Sequence, residues 1–251
     1  MEALSNAFAL LDVDVEDANL HPITPIKDDR KPKKPDKGKQ IGNKLDDVKL
    51  AKNDIQKQEN LSSSSSEELR MPLVWIDLEM TGLDIQVDRI LEIACIVTDG
   101  NLTKSVEGPD LVIHQSKECL DKMGEWCQSH HAASGLTKKV LQSTISESNA
   151  EKQVIEFVKK HVGTHTPLLA GNSVYVDFLY LKKYMPDLAI LFSHVLVDVS
   201  SIKALCMRWY PKENRKAPSK EKNHRAMDDI RESIKELKFF KENIFKPKPK
   251  R

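Results

Sequence analysis

Apolar and polar positions fall into a sheet-like pattern and then a helical one. Residues 73–80 (L-V-W-I-D-L-E-M) are apolar apart from two acids and read as a strand. Residues 89–98 (R-I-L-E-I-A-C-I-V-T), rich in β-branched side chains, read as a second strand. Asp99-Gly100-Asn101 reads as a turn and residues 111–114 as a third strand. Strands in succession with short loops predict antiparallel pairing. Downstream the period lengthens. Over residues 151–161, Val154, Ile155, Phe157 and Val158 take one side and Lys and Glu the other, which predicts a helix. Residues 168–170 read as a short buried strand ending at Gly171-Asn172, and residues 174–184 as a helix stopped near Met185-Pro186. Residues 194–199 then read as strand, 201–209 as helix and 225–240 as a long closing helix. Strands first, then alternating helix and strand, predict an α/β fold with a mixed sheet flanked by helices. No internal repeat is seen.

Before Met71 this pattern is missing. Residues 27–58 are rich in Lys, Asp and Pro, and a serine run spans Ser62 to Ser66. Such a composition cannot bury a core, so residues 1–70 are expected to be a disordered, charged and Ser-rich tail, 71–245 the folded domain and 246–251 a basic tail. The basic runs Arg30 to Lys34 and Lys246 to Arg251 read as solvated tails or as a nuclear address or nucleic-acid contact. Leu4, Phe8 and Leu11 have the spacing of a short helix, either transient or partner-binding.

Composition narrows this picture little. The chain has 251 residues, a formal net charge of +1 and 39% hydrophobic residues, as expected for one globular domain without a global bias toward nucleic acid. No apolar run would span a bilayer, so no membrane association is expected. Cys95, Cys119, Cys127 and Cys206 have no C-x-x-C or zinc spacing and read as free thiols of a reducing compartment. The acidic start, with no basic residue before Lys27, points to the cytosol, with mitochondrion and nucleus left open.

The two acids in the first strand change the picture most. Asp77 and Glu79 are two apart and point to the same face. Two buried carboxylates on one face are costly unless a cation lies between them, and a divalent metal suits carboxylate oxygens. The other reading is an edge strand with both acids solvated. In the closing helix, Ile230, Ile234 and Leu237 predict the buried stripe, so Asp228 should face water and Asp229 reach inward beside the core. Asp177 enters a helix just after a strand, a common site position in α/β folds, although most helical Asp residues are solvated. His224 is expected in a loop or first turn. Near metal-bound water it is a candidate general base, and otherwise an exposed loop histidine.

Taken in order, these residues resemble the DEDDh class of 3′→5′ exonucleases: D-x-E in the first strand, an Asp after a G-N turn, and H-x4-D opening a late helix. Within that class W-I-D-L-E-M-T-G-L-D (75–84), D-R-I-L-E-I-A (88–94), H-x-A-S-G-L (131–136), G-N-S (171–173), D-V-S (198–200) and N-H-R-A-M-D-D-I-R-E-S (223–233) are similar to oligoribonucleases, plant-like forms in particular. The resemblance covers residues 71–245 and implies an RNase H-like fold. It implies Asp77, Glu79, Asp177 and Asp229 as ligands of two divalent ions, Mg²⁺ or Mn²⁺, and His224 as general base. It further implies base stacking by Leu83 and Trp126, contacts from Ser173 and Ser200 to the terminal 5′ phosphate, and a homodimer. Many members carry a Tyr-Arg pair before D-V-S that reaches the partner's site. Here His194-Val195 stands there; His194 can stack on a base, but Val195 cannot hold a phosphate.

The implied activity is 3′→5′ hydrolysis of short single-stranded RNA, down to dinucleotides, to 5′-mononucleotides. Two alternatives remain: a DEDDh exonuclease acting on longer RNA or single-stranded DNA, and a catalytically silent nucleic-acid-binding module.

Overall fold

A computed structural model describes residues 69–219 and 225–245. The termini, with their basic runs and the Leu4, Phe8, Leu11 segment, and His224 lie outside the described residues. Five strands form one sheet in the order β3-β2-β1-β4-β5. β1 (Leu73–Met80), β2 (Ile90–Thr98) and β3 (Ser105–Val112) pair antiparallel, as their short connections predict. β4 (Leu168–Gly171) runs parallel to β1, and β5 (Leu196–Asp198) parallel to β4. The helices are α1 (Lys117–Leu120), α2 (Glu125–Ala133), α3 (Leu136–Gln142), α4 (Glu147–Val162), α5 (Tyr175–Tyr184), α6 (Pro186–Ala189), α7 (Val199–Trp209), α8 (Pro211–Asn214) and α9 (Ala226–Asn243). Among the described residues no helix is long and apolar enough to cross a membrane.

The alternation along β1 sorts its side chains between two cores. Val74, Ile76, Leu78 and Met80 face a core built with Val154 and Val158 of α4 and Tyr180 and Leu181 of α5. Trp75 faces the opposite core, with Ala94 and Ile96 of β2, Val199 and Cys206 of α7, and Ala226, Ile230 and Phe240 of α9. Its indole N–H donates to Thr98 Oγ1 at 3.0 Å, so even the fully buried polar atom is satisfied. A third, smaller cluster joins Leu91 to Leu120, Met123, Cys127, Leu136 and Val140. All four cysteines are free thiols.

Several expectations are corrected. The third strand is not 111–114 but Ser105–Val112. Gly108 and Pro109 argue against a strand, yet β3 is an edge, where a residue without an N–H is tolerated. Helices α1 to α3 and the single turns α6 and α8 were not foreseen. The fourth helix begins at Glu147, where the Ser146 side chain accepts from the Asn149 N–H and caps it. Leu69, just before the expected start of the folded domain, is buried. On α9 the buried residues are Ala226, Met227, Ile230, Ser233, Glu236 and Phe240; Ile234 and Leu237 are only partly covered.

Candidate active site

Because Trp75, Asp77 and Glu79 share a face, the two acids of β1 emerge on the side covered by α9. The first turn of α9 brings Asp229 to them, and one carboxylate oxygen from each of Asp77, Glu79 and Asp229 lies within 4.8 Å of the others. Burial of Glu79, with the carboxylates of Asp229, Glu92 and Asp177 nearby, holds its pKa well above the ordinary carboxylate value, and Arg225 only partly opposes this. Three converging carboxylates in a half-buried site repel one another. A divalent cation removes that repulsion, and an all-oxygen donor set suits a hard ion, so the residues present fit a metal. Asp228 takes the outer flank as expected, where Arg231 holds it at 2.8 Å.

Asp177 lies in the first turn of α5 and is 6% exposed. Its Oδ1 accepts the backbone N–H of Leu78, the residue between Asp77 and Glu79, at 2.9 Å. Burial, aided by the Asp198 carboxylate, pushes its pKa up to about 8 despite the N–H groups that favour its charged form. It is thus tied to the backbone of the acidic strand rather than being part of the three-carboxylate cluster.

The loop after β1 carries Leu83, half-buried against the larger core. Residues of the D-R-I-L-E-I-A motif fix this loop. Asp88 accepts from the Thr81 hydroxyl at 2.7 Å and from the Asp84 N–H at 2.9 Å, and Arg89 pairs with Glu147 at the start of α4. Tyr180 reaches across to donate to the Gly82 carbonyl at 3.0 Å. Trp126 on α2 is half-buried beside the third cluster and stacks on His130, with ring centroids 3.8 Å apart. Leu83, Trp126 and the acids therefore come from three different segments.

Ser173 and Ser200 are brought together. Their hydroxyls lie 3.0 Å apart, and Ser200 Oγ donates to Asn172 Oδ1 at 2.7 Å. Asp198 organises the pair: its Oδ1 accepts the N–H of Ser173 at 3.0 Å and of Ser200 at 2.9 Å. Ser173 holds a left-handed φ of 53°, the kind of local strain that clusters at functional sites. His194 and Val195 are both exposed just before β5. Sequence reasoning gave no role to Asp198, or to His131, whose ring lies buried behind the acids. His131 Nε2 bonds the Met80 carbonyl at 2.9 Å and Nδ1 lies 3.9 Å from Glu79 Oε2. Their membership of D-V-S and H-x-A-S-G-L was the available signal.

The RNase_T exonuclease family model matches residues 74–237. An oligoribonuclease of Arabidopsis thaliana is 72% identical over 192 residues, covering 76% of this chain and 86% of that one. The mitochondrial oligoribonuclease of Homo sapiens is 49% identical over 185 residues, covering 74% and 78%. An oligoribonuclease of Haemophilus influenzae (strain PittGG) is 50% identical over 174 residues, covering 69% and 95%. Among solved structures, an exonuclease I superposes with a TM-score of 0.56 at 14% identity, over 70% of this chain and 42% of that one, which shows a shared fold. The chain spans about two fifths of that exonuclease I. Motifs, sheet order and acidic cluster thus converge, and the chain belongs to the RNase_T exonuclease family and, within it, to the oligoribonucleases.

Proposed function

We propose that the protein is a 3′→5′ exoribonuclease that degrades short single-stranded RNA, down to dinucleotides, to 5′-mononucleotides. The observation that carries this reading is the convergence of Asp77, Glu79 and Asp229, with Asp177 bonded to the strand between the first two. These four acids would hold two divalent ions, Mg²⁺ or Mn²⁺, which when bound supply neutralising charge to the scissile phosphate and to the leaving oxygen. The raised pKa values of Glu79 and Asp177 support this, because they mark carboxylates held together at a cost that a cation offsets. His224, just before Arg225 in sequence, takes the proton from the attacking water.

Leu83 and Trp126 hold the bases by stacking, at about 1–3 kcal/mol per base, and the joined hydroxyls of Ser173 and Ser200 meet the terminal 5′ phosphate. A net charge of +1 suits short substrates, since long nucleic acids gain affinity from many phosphate contacts. The enzyme works as a homodimer. Exposed Leu205 and Trp209 of α7, with Tyr210, Val195, and Tyr175 and Leu179 of α5, lie on elements that flank the β5 edge and supply apolar surface for a second copy, bringing His194 to the partner's site. The decisive experiment compares turnover of a 5′-labelled dinucleotide with that of an oligomer of about 20 nucleotides. Preference for the dinucleotide is expected; preference for the longer strand would assign the protein to exonucleases of long RNA or single-stranded DNA. Asp77→Asn should lower hydrolysis at least ~100-fold, the scale of losing one electrostatic stabiliser. Wild-type protein without any Mn²⁺-dependent hydrolysis would leave only the binding-module reading.

A further inference from the structure

Glu92 is a second carboxylate that the sheet has no reason of its own to bury. It stands on β2 directly opposite Glu79 in the antiparallel register, and its side chain is fully inaccessible. Like charges so placed repel. What answers Glu92 is the guanidinium of Arg225: Nε donates to both oxygens at 3.1 Å, and Nη2 to Oε1 at 2.5 Å. Asp110 of β3 hydrogen-bonds to Glu92 as well.

The same Arg225 begins α9. It is the residue before the helix, in extended conformation, and α9 has no side-chain hydrogen bond capping its N-terminus. Instead, the Arg225 carbonyl accepts the N–H of Asp228 at 2.9 Å and of Asp229 at 3.0 Å. One residue is therefore fixed to the sheet through its side chain and to the backbone of Asp229 through its carbonyl. A helix entry without a side-chain cap is less firmly held than a capped one. Here fraying would carry Asp229 away from Asp77 and Glu79.

We infer that Arg225 and Glu92 form a positioning clamp that sets the Asp229 carboxylate against Asp77 and Glu79; this rests on the reading of those three as metal-holding acids. The clamp acts through Asp229 and touches no substrate. Leu83, Trp126, Ser173 and Ser200 lie on other elements, so a loosened clamp weakens metal binding and turnover while leaving substrate affinity in place. Arg225→Lys is the informative change, because it keeps a positive charge beside Glu92 and removes the rigid fork.

The test uses the full chain. Wild type, Arg225→Lys, Glu92→Gln and Asp229→Asn are compared for kcat and KM on a 5′-phosphorylated diribonucleotide, for Mn²⁺ binding by EPR without substrate, and for Tm. Arg225→Lys is expected to weaken Mn²⁺ binding and lower kcat by ~10-fold or more, the range seen when an outer partner of a metal ligand is lost, with KM within about twofold. A lowered Tm with wild-type Mn²⁺ binding and kcat would show a merely structural ion pair and overturn the clamp, as would a rise in KM alone. If Arg225→Lys does not fold, Glu92→Gln is judged by the same criteria, since it removes the buried charge while keeping the shape. Asp229→Asn separates the two readings. If it retains hydrolysis, the metal-site reading fails; if it abolishes hydrolysis while Arg225→Lys stays at wild-type level, the clamp alone fails.

Discussion

The backbone N–H of Leu78 donates to Asp177 Oδ1 at 2.9 Å across 99 residues of chain, in the middle of the D-x-E strand. This bond fixes α5 to the sheet at the point where the acids of β1 emerge. The carboxylate it engages is one that burial pushes up to about pKa 8. In Asp177→Asn the amide oxygen can still accept from Leu78, so the fold should survive. Hydrolysis should fall at least ~100-fold. Metal-free protein near neutral pH should become more stable, with a higher Tm by calorimetry in chelator, because a carboxylate that resists burial is gone.

The same shift sets a pH dependence. The folded pKa of Asp177 lies above its unfolded value of about 4, so the folded state binds the proton more tightly. Its protonation therefore favours folding below the unfolded value, and that contribution is lost as pH rises from about 4 through about 8. Chelated protein should lose Tm across that window, and added Mn²⁺ should raise Tm more near its upper end, where proton competition is weakest. A flat Tm in chelator would contradict the strained-carboxylate account.

Ser173→Ala leaves the left-handed backbone as it is and removes one hydroxyl of the serine pair. KM for a 5′-phosphorylated dinucleotide should rise about tenfold, the worth of one hydrogen bond to a charged group, and the same dinucleotide without its 5′ phosphate should be much less affected. Equal loss on both substrates would remove the phosphate role.

Trp209 is 66% exposed on α7. If the proposed dimer forms through this face, Trp209→Lys should shift it to monomer in sedimentation velocity at low concentration and lower activity with it. A wild-type chain that is monomeric and fully active would refute the cross-subunit arrangement.

On β3, a Cβ placed at Gly108 would come within 2.3 Å of the Phe157 ring of α4. Gly108→Ala should cost about 1–3 kcal/mol of stability, read as a lower denaturant midpoint, because the Phe157 ring must give way to admit the methyl group.

Where hydrophobic period and chemistry agreed, the sequence was legible. Asp77 and Glu79 stood out against an apolar strand, and helix geometry alone separated Asp229 from Asp228. Where polar residues are buried, periodicity misled. Ser233 takes an inner position on α9 by donating to the Asp229 carbonyl at 2.8 Å, and Glu236 does so beside Lys203 at 3.3 Å, so the real stripe departs from Ile230, Ile234 and Leu237. Helices α2 and α3 are short and mostly polar, with His131 among their buried residues, and a buried histidine carries no periodic signal. The Arg225–Glu92 bond joins residues 133 apart, a relation that no local pattern encodes.

The alternation along β1 also bears on how the enzyme can fail. Asp77 and Glu79 are interleaved with Ile76, Leu78 and Met80, so a one-residue slip of the strand would exchange acids for core residues on both faces at once. A one-residue slip that misplaced the acids would therefore also unpack the core. Quality control that senses exposed hydrophobic surface would, for such a slip, also remove chains with displaced acids.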